Sequence, residues 1–347
     1  MTSMTRTAGA STSDGADLTT ATPGYGDREL QLEQHRGELT GYCYRMLGSG
    51  FEAEDAVQET LLRAWRSFDG FGGRAALRSW LYRIATNVCL DMLNGRARRA
   101  RPVDLGPAQT SDKPLGRPLP EATWIEPIPD ARVVPAHGDP AEAAELRETV
   151  RLAFIAALQH LAPRQRAVLI LREVLGWKAS EVAELLHTSV ASVNSALQRA
   201  RWTLSARDIS TSATPMDDAQ QALLARYVDA FERYDMDSLV SLLREDATWS
   251  MPPYELWLQS HDDIRRWCLG PGIGCRGSRL VPTAANGSPA FAQYKPNPEG
   301  GYKPWSLHVL EISDGRITGI CFFLDTERLF PLFGLPARLE GFPSDGR

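Results

Sequence analysis

Three groups of side chains in this 347-residue chain have types and spacings suited to more than packing. Asp55, Gln58 and Glu59 stand three and four apart, so on a helix they share one polar face while Val57, Leu61 and Ala64 turn inward. Taken alone, such a patch reads as a solvated acidic face. Arg74, Arg78, Trp80, Arg83 and Asn87, followed by Arg96, Arg98, Arg99 and Arg101, combine cations for phosphates, aromatic surface for an unstacked base, and an amide for a base edge. The third group lies between Leu161 and Leu204.

That stretch has the pattern of a helix-turn-helix, with Val182, Leu185 and Leu186 as the buried side of its first helix and Ala183 as the small residue that permits close packing. Ser189 is placed to cap the second helix, whose inward face is Val190, Val193 and Leu197. Outward lie Ser192, Asn194, Ser195, Gln198, Arg199 and Arg201, with Lys178 ahead of them. Asn and Gln suit base edges, and Arg suits phosphates.

A fourth, weaker set lies near the C-terminus. Alternation along the Trp305 strand puts Ser306, His308 and Leu310 on one face, so His308 is a candidate cavity residue, with Trp249, Tyr254 and Asp325 as companions. Acid-base chemistry competes here with a plain hydrogen-bonded strand histidine, and the aromatic richness suits a packed core as well as an apolar pocket.

The elements that must position these groups follow from hydrophobic periodicity. Residues 1–28 read as a disordered tail, 29–101 as a helical unit, 102–140 as an acidic, Pro-rich and mostly extended linker, and 141–209 as a second helical unit. A short linker at 210–216 leads to an α+β unit at 217–337 and a tail at 338–347, with Asp314 and Gly315 as a hairpin turn. Within the long linker, Trp124, Ile125 and Ile128 are apolar enough to dock on a neighbouring surface.

Net charge is −5, from 38 Lys and Arg against 43 Asp and Glu, so nucleic-acid binding must come from local cationic patches rather than the whole chain. The five cysteines are scattered without metal-ligand spacing, which suits buried free thiols. No apolar run is long enough for a membrane span and no secretory leader is evident, so a cytoplasmic protein with no membrane partner is expected.

The segments GYCYRMLGSGFEAEDAVQETLLRAWRSF and FDGFGGRAALRSWLYRIATNVCLDMLNGRARR, together with the LAPRQR opening and RAR ending of the helix-turn-helix, resemble the extracytoplasmic-function (ECF) sigma factors. The resemblance implies a multidomain fold. Its parts are two all-α domains, a region 2 bundle and a region 4 helix-turn-helix, and a C-terminal α+β domain that is similar to SnoaL-like cones.

It further implies that Asp55, Gln58 and Glu59 bind core RNA polymerase at the clamp helices of the β′ subunit, with the β flap as a second contact. Arg74, Arg78, Trp80, Arg83, Asn87, Arg96, Arg98 and Arg99 would meet the promoter −10 strand. Lys178, Ser189, Ser192, Asn194, Ser195, Gln198, Arg199 and Arg201 would meet the −35 duplex. The C-terminal domain would contact the sigma domains of its own chain as a built-in regulator.

No cofactor, metal or catalytic residue is expected, and the competing reading is a DNA-binding module tethered to an isomerase- or cyclase-like enzyme. Three positions depart from the usual pattern. His187 stands where Gly commonly makes the turn, and Asn194 and Ala196 stand where Lys and Arg are frequent.

Overall fold

The computed structural model describes residues 25–71, 76–113, 115–134, 139–205 and 217–340. It opens with a helical unit of α1 (Tyr25–Glu33), α2 (Arg36–Leu47), α3 (Gly50–Ser67) and α4 (Leu77–Leu93). Helix α1 therefore begins inside the segment expected to be tail. Gly48, at φ 73°, ends α2 in the left-handed region that favours glycine, and Ser49 Oγ accepts the Glu52 N–H at 3.2 Å to start α3. Val57, Leu61 and Ala64 are buried as expected, while Trp65 on the same helix is 48% exposed. Trp65 follows Gln58 by seven residues, so at 3.6 residues per turn it returns to the outward face.

Gly95, at φ 72°, turns the chain out of α4, so Arg96, Arg98 and Arg99 do not extend that helix as the sequence suggests. The segment that follows is not a free spacer either. Gln109 N donates to Trp257 O, Ser111 N to Asp263 Oδ1, and Leu119 N to Pro253 O, at 2.9, 3.2 and 2.9 Å, fastening it to the C-terminal unit. Trp124, Ile125 and Ile128 are 3%, 2% and 1% exposed, and a short helix α5 (Asp130–Val133) ends this stretch. Its prolines forbid regular helix, but they leave its apolar side chains free to pack on two neighbouring surfaces.

The second helical unit comprises α6 (Pro140–Glu148), α7 (Leu152–Gln159), α8 (Pro163–Leu169), α9 (Ala179–Leu185) and α10 (Val190–Ser205). Val182, Ala183, Leu185, Val193 and Leu197 form the buried seam of the helix-turn-helix. Val190, expected to face inward, is 44% exposed, because it is the first residue of α10 and sits at the edge of that packing. His187 adopts φ 50°, the left-handed turn conformation that Gly takes more readily.

The C-terminal unit runs α11 (Asp218–Arg233), α12 (Met236–Ser241), β1 (Leu243–Ser250), β2 (Trp257–Leu258), α13 (His261–Leu269), β3 (Arg279–Ala285), β4 (Ser288–Pro296), β5 (Tyr302–Ser313), β6 (Arg316–Phe323) and α14 (Thr326–Leu332). The sheet order is β2-β1-β6-β5-β4-β3, antiparallel except for the β1–β6 pair. Two-residue turns at Asn286–Gly287 and Asp314–Gly315 have positive φ at both positions, as tight hairpins require. Beyond the expected boundary at 337, Leu339 still pairs with Tyr302.

One face of the sheet holds Phe291, Leu310 and Phe322 against Tyr227, Phe231 and Ile264 of the helices. The other face, with Ala290, Leu307 and Val309, joins an apolar cluster that is continuous with both helical units. The two helical units also pack directly on each other, through α2 with α7 and α8 and through α4 with α8 and α9. The long linker thus does not hold them apart.

Candidate nucleic-acid interface and interdomain seam

Lys178, just before α9, and Ser189, Ser192, Asn194, Ser195, Gln198, Arg199 and Arg201, on or just before α10, are all exposed. Ser189 Oγ accepts the Ser192 N–H at 3.1 Å, which satisfies an orphan donor of the helix start and sets its direction. Asn194, Gln198 and Arg201 line one shallow groove with Arg172 and Leu197. Arg201 is paired with Glu173 at 2.7 Å. The arrangement is one polar stripe carrying amides for base edges and guanidiniums for phosphates.

The residues expected to meet a melted strand are not gathered into one open patch. Arg74 lies outside the described residues. Trp80 stacks on Phe71 at 4.8 Å, and Asn87 is exposed. Arg78 bonds Glu38 at 2.7 Å and lies over the rings of Tyr82 and Trp177, at 5.3 and 5.7 Å. Arg83 pairs with Glu184 of α9 at 3.7 Å. Trp177, buried just ahead of α9, meets Tyr82 at 5.1 Å, so the second helical unit covers this side of α4.

The arginines after α4 are also engaged. Arg96 pairs with Glu52 and Arg98 with His160. Arg99, only 6% exposed, reaches Glu52 at 3.0 Å and the Glu121 carbonyl at 3.0 Å. In this conformation Arg99 holds the linker and is not presented to solvent.

On α3, Asp55 and Gln58 are exposed, while Glu59 accepts from Arg63 Nε at 2.6 Å. Leu62, 42% exposed, and Trp65 continue the same face. Sequence reading missed them as surface residues, although the spacing of four and seven from Gln58 carried the signal.

The candidate C-terminal set divides among different environments. His308 is fully buried in its aromatic surroundings, with Phe322 and Phe231 ring centroids at 4.5 and 5.0 Å. Its Nδ1 lies 2.9 Å from Tyr227 Oη, and its Nε2 lies 3.0 Å from both Gln293 Oε1 and Ser306 Oγ. Burial pulls the imidazole pKa down to about 3, so the ring is neutral. Trp249 lines a cavity of about 50 Å³ inside the cone. Tyr254 and Asp325 line a different cavity, of about 390 Å³, between the linker and the C-terminal unit. The proposed acid-base grouping of His308, Asp325 and Tyr254 is therefore not assembled.

What the seam does contain is a set of polar clasps. Asn286, at φ 57° and fully buried, donates from Nδ2 to Tyr44 Oη at 2.6 Å and to the Val150 carbonyl at 2.7 Å. Its Oδ1 accepts the Ile128 N–H at 3.1 Å. Gly287 N donates to Asp130 Oδ1 at 2.7 Å, and a side chain at Gly287 would strike the Arg147 carbonyl. One turn thus touches α2, the linker and the approach to α7.

Arg328 forms a second clasp. It stacks over Phe51 of α3 at 4.0 Å and pairs with Glu121, with Glu126 at 3.4 Å and with Asp325 at 3.5 Å. Glu126 also accepts from Ser49 Oγ, and burial raises its carboxyl above the usual range. A third clasp is Arg166, 3% exposed, which reaches the Met46 carbonyl of α2 and Gln159 Oε1, the latter at 2.8 Å. Burial lowers its pKa to about 10, which leaves it charged at neutral pH.

Three known families match successive stretches of the chain. Residues 32–99 match the Sigma-70 region 2 family, residues 151–204 match Sigma-70, region 4, and residues 224–320 match the SnoaL-like domain. The ECF RNA polymerase sigma factor SigG of Mycobacterium tuberculosis is 48% identical over 323 residues, covering 90% of this chain and 85% of that protein. SigJ of the same organism is 28% identical over 302 residues, covering 84% of this chain and 89% of that one. The crystal structure of SigJ superposes with a TM-score of 0.58 at 23% identity, covering 89% of this chain and 99% of that one, which shows a shared fold.

The chain belongs to the ECF RNA polymerase sigma factors. It is a sigma factor with a SnoaL-like C-terminal domain. Among the described residues no helix is long and apolar enough to cross a membrane.

Proposed function

We propose that this sigma factor is held closed by its own C-terminal domain and that its helical units separate when they engage core polymerase and promoter DNA. In the open form, Asp55, Gln58 and Glu59 contact the β′ clamp helices, region 4 meets the β flap, the α4 side reads the −10 strand, and the α10 stripe reads the −35 duplex. The work is done in the cytoplasm and needs no catalytic residue from the protein. Melting requires only that the open strand bind better than the duplex.

The observation that carries the closed-state reading is Asn286, whose side chain spends its hydrogen bonds on α2, the linker and Val150 ahead of α7 at once. The pairing of Arg83 with Glu184 of α9 and the packing of Arg78 over Trp177 agree with it. A binding or positioning role for the C-terminal domain is supported over catalysis by the neutral, fully bonded His308 and the small cone cavity.

The test is run-off transcription with purified core polymerase and a promoter pool, comparing the full-length protein with Asn286→Gly. A stronger promoter-dependent signal from the variant is expected. Equal signals would refute control by this clasp, and no transcript from either would refute the promoter assignments.

A further inference from the structure

The cone's own cavity, about 50 Å³ and walled by Trp249, Trp267 and Phe322, is too small for a ligand of metabolite size. A larger space, of about 390 Å³, lies outside the cone, with walls half from the linker (Leu119, Trp124, Ile125) and half from the C-terminal domain (Pro253, Tyr254, Leu324). That volume falls within the roughly 300–1,000 Å³ typical of small-molecule sites.

Every charged residue in its lining is acidic: Glu121, Glu126 and Asp325. The cations that reach these carboxylates are oversubscribed. Arg328 serves all three, and Arg99 divides itself between Glu126 at 3.8 Å and Glu52, which also holds Arg96. Four carboxylates (Glu52, Glu121, Glu126, Asp325) thus face three guanidiniums (Arg96, Arg99, Arg328), one positive charge short. Glu121 and Asp325 are about half exposed, so solvent screens part of this deficit, and the remainder favours a cation where the apolar walls half-enclose it.

We infer that this seam cavity is a binding site for a small apolar amine, its ammonium held by Glu121 and Asp325 and its body between Leu119, Trp124 and Tyr254. Because the walls belong to two segments, the site exists only while they are docked. By linkage the ligand stabilises that docking and holds the chain closed.

The site can be tested on the full-length chain by calorimetry with three probes of like shape: 3-phenoxypropylamine, 3-phenoxypropanol and 4-phenoxybutyrate. The amine is expected to bind at least tenfold more tightly than the alcohol and to raise the Tm, with no binding of the carboxylate. Leu119→Trp, which fills the cavity and leaves the carboxylates in place, should abolish amine binding. Glu121→Gln with Asp325→Asn should weaken it at least tenfold. Equal binding of amine and carboxylate, unchanged binding to Leu119→Trp, or no amine binding would overturn the assignment. No polymerase is present in this assay, so its failure is distinguishable from failure of the closed-state reading.

Discussion

Asn286 Nδ2 donates to Tyr44 Oη at 2.6 Å, joining the tip of a C-terminal hairpin to the second helix of region 2. Tyr44 Oη in turn donates to the Glu126 carbonyl at 2.9 Å, so the same contact also secures the linker. Both side chains are fully buried. A buried donor or acceptor stripped of its partner costs about 1–3 kcal/mol.

Asn286→Gly keeps the positive φ available while deleting three hydrogen bonds, two donated by Nδ2 and one accepted by Oδ1. A loss of about 2–4 kcal/mol is expected, since neighbouring losses are not additive. Differential scanning calorimetry of the full-length chain should show a lower Tm. An unchanged Tm would show that the clasp contributes nothing.

Trp177→Ala should loosen region 4 from region 2 by removing the ring packed on Tyr82 and Arg78. Large-to-small changes of a buried aromatic cost about 3–5 kcal/mol. Hydrogen exchange should then report faster amide exchange in α4 than in the unaltered chain, with the sheet of the C-terminal domain unaffected.

Asp55→Lys combined with Glu59→Lys reverses the outward charge of α3 without touching buried Val57 or Ala64. Core polymerase binding, measured by pull-down or fluorescence anisotropy, should fall at least tenfold while the far-UV circular dichroism spectrum stays the same. Retained binding would remove this face from the polymerase interface.

Arg199→Ala tests the α10 stripe by salt dependence. If Arg199 meets a phosphate, its removal reduces the slope of log K against log salt for −35 duplex binding by about 0.9. A change in affinity with no change in slope would assign Arg199 to base contact instead.

His308 sets a pH dependence of known sign. Its pKa is about 3 when folded and about 6.5 in an unfolded chain, so between those values the unfolded state binds the proton. Stability from the neutral buried ring is complete above pH 6.5 and falls as pH drops toward 3, by up to about 1.4 kcal/mol per unit. Denaturant midpoints from pH 7 to 4 should show this slope, and His308→Gln should flatten it.

Much of this organisation is legible locally. Hydrophobic period marks α3, α4 and α10, the Ser189 cap and the small Ala183 mark the helix-turn-helix, and the Asp314–Gly315 pair marks its hairpin. The Asn286–Gly287 pair carries the same turn signature, but its local sequence does not show that the tip is buried in another domain. The acid-base trio is not assembled for a similar reason, because strand alternation says which face His308 occupies and not what lies across from it.

The sequence by itself determined the two helical units, the outward polar stripe of α10, the acidic face of α3 and the α+β character of the C-terminal domain, since each follows from residue period and turn chemistry within a few residues. Only the tertiary structure decided where the arginines of region 2 point, that the Pro-rich linker is packed against the C-terminal domain, and that both faces of β5 are buried. Those outcomes depend on pairings between residues far apart in the chain, such as Tyr44 with Asn286 and Phe51 with Arg328, which no local pattern encodes.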